Sequence, residues 1–144
     1  MKVDIFSLKK QYDEIKDEIK GPMEKVMLSG AFILGEEVGL FEQEFAQYVG
    51  AKSAIGVGSG TEALHIALKA CGIGPGDEVI TVSHTAVATV SAIELTGAFA
   101  VLVDIEEKYF AMDPARLEKL ITSKTKAIVP VHLFGQCSDM EPIL

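Results

Sequence analysis

From residue 53 onward, short apolar runs alternate with helical stretches, and that rhythm constrains the fold more than any other feature. Ala54–Val57 reads as a short buried strand, and GSGTEALHIALKACG runs from a glycine turn into a helix closed by Gly72. GIGPGDE is turn chemistry ahead of a second strand over Val79–Val82. A helix from about Thr85 to Leu95 stops at Gly97, and Phe99–Ile105 is a third strand. Asp113-Pro114 sets a cap residue before a proline at the first helical position, with Leu117, Leu120 and Ile121 as the apolar face. A fourth strand over Ala127–Val131 leads through HLFGQ to SDMEPIL. Strands separated by helices pair in parallel, so the expected class is α/β, a parallel-type sheet with flanking helices.

The first 52 residues have a different pattern. Leu8, Tyr12, Ile15 and Ile19 fall on one helical stripe among Lys, Asp and Glu. Gly21-Pro22 is expected to interrupt this helix, and Met23, Val26 and Met27 resume the stripe. SGAFILG follows, and then a helix with Val38, Phe41, Phe45 and Tyr48 on one face and Gly50 as its stop. The expected organisation is a helical arm and packing helix over 1–52, followed by an α/β domain over 53–144. Ser138 or Asp139 reads as the N-cap of a helix cut short at Leu144, which points to a truncated domain.

Composition removes several function classes. The chain of 144 residues is 49% hydrophobic with a net charge of −8, and Arg116 is its single arginine. That balance is unsuited to nucleic acid or an anionic membrane surface. No apolar run approaches the ~20 residues of a membrane span. The opening MKVDIFSLKKQYDEIKDEIK carries acids throughout, unlike a secretory leader. Cys71 and Cys137 have neither metal nor redox spacing, and a cytoplasmic location is expected.

Gly58-Ser59-Gly60-Thr61-Glu62-Ala63, between a strand and a helix, is the strongest local feature. Free amides and the positive dipole end at a helix N-terminus form an anion site, and the Ser59 and Thr61 hydroxyls can add donors. The plain alternative is a glycine turn that binds nothing. The hexapeptide also fits G-x-G-x-x-A, but a dinucleotide site expects an acid at the end of the next strand. Here that strand ends in Val82-Ser83-His84-Thr85, with Asp77 and Glu78 at its start. A phosphate on something smaller than a dinucleotide fits better.

Of the histidines, His65 lies among Leu64, Ile66 and Leu68 and reads as structural. His84 and His132 follow strands at the edge where parallel sheets bind ligands. His84 can line a site; His132, with Gln136, either lines it or caps its own loop. No catalytic triad and no metal set is legible, and no lysine has the small, hydroxyl-rich setting of a Schiff-base lysine.

The strings SGAFILGEEVGLFEQEFAQYVGAKSAIGVGSGTEALHIAL, GIGPGDEVITVSHTAVATVSAIELTGA and TKAIVPVHLFGQCSDMEPIL together resemble the DegT/DnrJ/StrS family. These are sugar aminotransferases dependent on pyridoxal 5′-phosphate (PLP), some of them labelled regulators. The resemblance covers nearly the whole chain and corresponds to the N-terminal part of a longer protein. It implies an incomplete large domain of the aspartate aminotransferase-like fold, a homodimer, and amino transfer, usually from glutamate, to a keto-sugar nucleotide. Gly60, Thr61 and Glu62 match the turn that holds the cofactor phosphate. Ala86 stands where the family commonly has an aromatic residue stacked on the cofactor ring, so either His84 takes that face or the cofactor packs differently. SGAFILG resembles an arm near the active site between subunits. The family's pyridine-pairing aspartate and Schiff-base lysine fall beyond Leu144, so no catalytic residue is expected within the chain. A dinucleotide-binding domain and a non-catalytic regulatory relative are the alternatives.

Overall fold

A three-stranded parallel sheet in the order β2-β1-β3 positions everything of functional interest. It belongs to a computed structural model that describes residues 7–144. The chain forms two compact units, divided between Gly56 and Val57.

The first unit contains α1 (Leu8–Ser29) and α2 (Glu36–Val49). Ser7 caps α1, its Oγ accepting from the Lys10 amide, and Gly30 ends it in the left-handed conformation at φ 67°. The expected break at Gly21-Pro22 does not occur: α1 is continuous through Pro22. A proline clashes with the Cβ of the residue before it, and Gly21 has none, so the helix loses a hydrogen bond without a full steric break. Gly50 closes α2 at φ 70°, as its sequence suggests.

The second unit contains α3 (Gly60–Ala70), β1 (Glu78–Val82), α4 (Val87–Leu95), β2 (Phe99–Val103), α5 (Pro114–Leu117, extended by a 3₁₀ turn) and β3 (Thr125–Val129). The central strand β1 is apolar on both faces. Val79 packs with Leu68 of α3 and Ile93 of α4, while Ile80 and Val82 pack on the other face with Val103, Met112 and Leu117. Val79, Ile80 and Ile93 are fully buried. A two-sided core of this kind suits a strand covered by helices on both faces. The buried Thr81 hydroxyl donates to the Val129 carbonyl at 2.9 Å, tying β1 to β3.

Two expectations need correction. Ala54–Val57 is not a strand. The Gly56 amide donates to the Glu42 carboxylate at 2.6 Å and the Gly58 amide to Glu62 at 2.7 Å, so side chains take the donors a sheet partner would use. Nor does a helix start at Ser138 or Asp139. The buried Ser138 folds back, its Oγ donating to the Val131 carbonyl and its amide to His132 Nδ1, both at 3.1 Å.

Candidate functional site

Because β1, β2 and β3 are parallel, the loops that follow them share one carboxyl edge. They carry Ser83–Ala86, the 104–113 loop and the 130–138 loop. α3 leads through the 71–77 turn into the opposite end of β1 and packs beside α4. Its N-terminus therefore points toward the carboxyl edge as well. Open α/β sheets place ligands at this edge.

The glycine turn forms a capping box around the start of α3. Ser59, extended at φ −162°, accepts the Glu62 amide on its Oγ at 3.2 Å, and the Glu62 carboxylate reaches back to the Gly58 amide. The first ladder bond runs from the Ala63 amide to the Ser59 carbonyl, so the amides of Gly60 and Thr61 precede the helix's own hydrogen bonding. These two donors and the half-buried Thr61 hydroxyl are the groups the turn can offer an anion. The amide and the carboxylate of Glu62 are thus both engaged within the turn. A Cβ on Gly58 would come within 2.7 Å of the Glu62 carboxylate, whereas one on Gly60 would meet open space.

His84 is exposed in the loop after β1, and Ala86 is the exposed N-cap of α4, offering a methyl group and no ring. Two aromatic residues that sequence reasoning passed over stand beside His84. The Phe110 centroid lies 6.2 Å from the imidazole centroid and the Phe134 centroid 6.4 Å, tilted by 51° and 59°. Both phenylalanines are left-handed at φ 58°. That conformation costs a residue with a Cβ about 1–2 kcal/mol. A bulky residue there gives no sequence signal, since glycine is the residue normally sought at positive φ.

His132 takes the loop-capping role, with Nδ1 occupied by the Ser138 amide. His65 sits half-buried on α3. The acids weighed for a dinucleotide site lie at the other edge of the sheet, where Asp77 accepts the Gly74 amide and Glu78 the Thr122 hydroxyl. Neither can reach a ribose at the carboxyl edge, so that alternative is not favoured. Among the described residues no group of His, Cys, Asp and Glu could hold a metal, and no helix is long and apolar enough to cross a membrane. A recess of about 630 Å³ in the first unit is lined by Ile19, Pro22, Met23, Val26 and Met27 together with the carboxylates of Glu18 and Glu37. The candidate site residues are on the sheet edge instead.

Parallel strands with flanking helices, and with the following loops gathered at one edge, make an incomplete α/β large domain of the kind found in PLP-dependent aminotransferases. Residues 13–144 match the DegT/DnrJ/EryC1/StrS aminotransferase family, and the chain belongs to that family. It is 50% identical, over 99% of its length, to a "Pleiotropic regulatory protein" of Geobacillus stearothermophilus, covering 38% of that protein. It is 46% identical, over 98% of its length, to the UDP-2-acetamido-2-deoxy-3-oxo-D-glucuronate aminotransferase of Pseudomonas aeruginosa, covering 39% of it. The fold superposes on S. venezuelae DesV in complex with a ketimine intermediate, with a TM-score of 0.93 and 44% identity, over 98% of this chain and 38% of that one. The chain thus spans under two-fifths of the length of these relatives.

Proposed function

We propose that this chain carries the phosphate- and ring-binding part of a PLP-dependent aminotransferase that aminates a keto-sugar nucleotide, with glutamate as donor. The observation that carries the reading is the start of α3, where the Gly60 and Thr61 amides precede the first ladder bond of the helix and, with the Thr61 hydroxyl, are donors an anion could take. A phosphomonoester fits this donor set, and the exposed His84 imidazole offers a planar partner for a pyridine ring. PLP, when bound, supplies an electron sink for moving an amino group. The residues of this chain bind and orient: the amides hold the phosphate, Ser59 and Glu62 keep the turn in shape, and His84 takes the ring face that Ala86 leaves bare. A lysine to hold the aldehyde and an acid to keep the pyridine nitrogen charged belong, in this reading, to the remaining length of the relatives. Amino transfer is then a property of the longer protein.

We further propose a homodimer, supported by the exposed apolar stripe of α1, with Tyr12, Met23 and Met27 each more than half exposed. Titration with inorganic phosphate and with pyridoxamine 5′-phosphate, followed by ³¹P NMR, tests the cofactor reading. Thr61→Val should weaken both ligands by about 1–2 kcal/mol through loss of one hydroxyl donor. Equal affinities for wild type and variant, or no binding by either, would sink it.

A further inference from the structure

Phe110 and Phe134 are left-handed without any reward in core burial, being 51% and 86% exposed. Each is nonetheless locked in place by its loop. The Glu106 carboxylate accepts the amides of Lys108 and Tyr109 at 2.7 Å and of Ala111 at 3.2 Å, bracketing Phe110 on both sides. Around Phe134, the Gly135 amide donates to the His132 carbonyl at 3.2 Å and the Gln136 amide to Leu133 at 3.1 Å. The Ser138 amide then closes the loop onto His132 Nδ1. Backbone strain persists where surrounding bonds over-determine it, and it concentrates at ligand clamps. Two loops that follow different strands therefore spend strain on one outcome, an exposed phenyl ring beside the exposed imidazole of His84.

We propose that Phe110 and Phe134 are positioning residues that fix the His84 imidazole for stacking on the planar ring of a phosphorylated heteroaromatic ligand. The proposal rests on the PLP reading of the neighbouring turn and adds to it. The ring face is then built from three loops of the carboxyl edge, compensating for Ala86. Tilted aromatic neighbours restrict an imidazole by edge-to-face contact while leaving a face for a ligand.

The test uses the whole chain, with pyridoxamine 5′-phosphate and inorganic phosphate as probes. Phe110→Asn and Phe134→Asn remove a ring but keep a residue that tolerates the left-handed conformation. Wild type should prefer pyridoxamine 5′-phosphate over phosphate, and each Asn variant should cut that preference about three- to tenfold, with phosphate affinity held within about twofold. In the ligand-free chain the His84 imidazole resonances should move as the ring current is lost, and Phe134→Tyr should restore both readouts. Unchanged preference in the Asn variants overturns the inference, as does an equal loss of both ligands. Wild type that binds phosphate without preferring the ring compound also overturns it but leaves the anion turn standing. Wild type that binds neither overturns both readings.

Discussion

The two units bury their apolar residues to opposite extents. In the second, Val79, Ile80, Ala92 and Ile93 are fully enclosed, and both faces of β1 are covered. In the first, Ala46 is buried, whereas α1 has no buried residue despite a regular apolar stripe. Phe32, Ile33 and Leu34 between the helices are 62%, 85% and 82% exposed. A sheet with its crossover helices makes a core from its own chain. An amphipathic helix only makes a surface that another surface must cover.

The widest contrast should appear in unfolding. Ile80→Ala should cost about 2–5 kcal/mol, the range for emptying a packed aliphatic site. Met23→Ala, at a 60% exposed position, should stay within about 0.5 kcal/mol in protein dilute enough to be monomeric. Urea denaturation followed by far-UV circular dichroism measures both. Similar costs in dilute protein would break the comparison, whereas a Met23→Ala cost that appears only as protein concentration rises would report the proposed dimer.

A smaller effect lies within α1. Pro22→Ala replaces the weakest helix former with the strongest, and α1 should gain up to about 3 kcal/mol of helical stability. Amide exchange of residues 15–29 would report it. If exchange does not slow, α1 is frayed at Gly21-Pro22 in solution, as the sequence alone suggests.

The smallest effects are electrostatic, and they have opposite signs in the two units. The loop around Glu106 partly desolvates its carboxyl, which raises its pKa. The Lys108, Ala111 and Tyr109 amides outweigh that and hold the carboxyl below its ordinary 4.5. A depressed carboxyl stabilises the fold above the ordinary carboxylate range and loses that contribution as pH falls through its own lower value. Hydrogen bonds to Glu37 and then Glu36 hold the Lys25 ammonium above 10.5, so that contribution is present below 10.5 and lost as pH rises through the raised value. Lys25 is exposed and Glu106 only half-buried, so both effects are small. The acid-side change should show in the Lys108, Tyr109 and Ala111 amide resonances and vanish in Glu106→Gln. An unchanged acid response in that variant would assign it to another carboxylate.

Much of the second unit is legible in its residues. Gly97 closes α4 with φ at 87°, Asp113 caps the Ala115 amide ahead of Pro114, and the apolar runs of β1 and β2 pair in parallel as their spacing implies. Ala54–Val57 misled because a strand needs a partner, and apolar character does not show whether one is present. Ser138 misled because a hydroxyl that can cap a helix can equally tie two ends of a loop.

The sequence by itself determined the parallel α/β order and the glycine turn with its hydroxyls, because turn chemistry and hydrophobic periodicity are local properties, and its motif strings carried the family resemblance. Tertiary structure decided the rest. It spent Glu62 on the turn's own amide, turned His132 into a loop cap, and brought Phe110 and Phe134 to His84. Those outcomes depend on which loops meet at the sheet edge and on carboxylates and carbonyls bonding amides close by. A left-handed phenylalanine has no local signature. Its φ is imposed by hydrogen bonds on either side that exist only once the loop has closed.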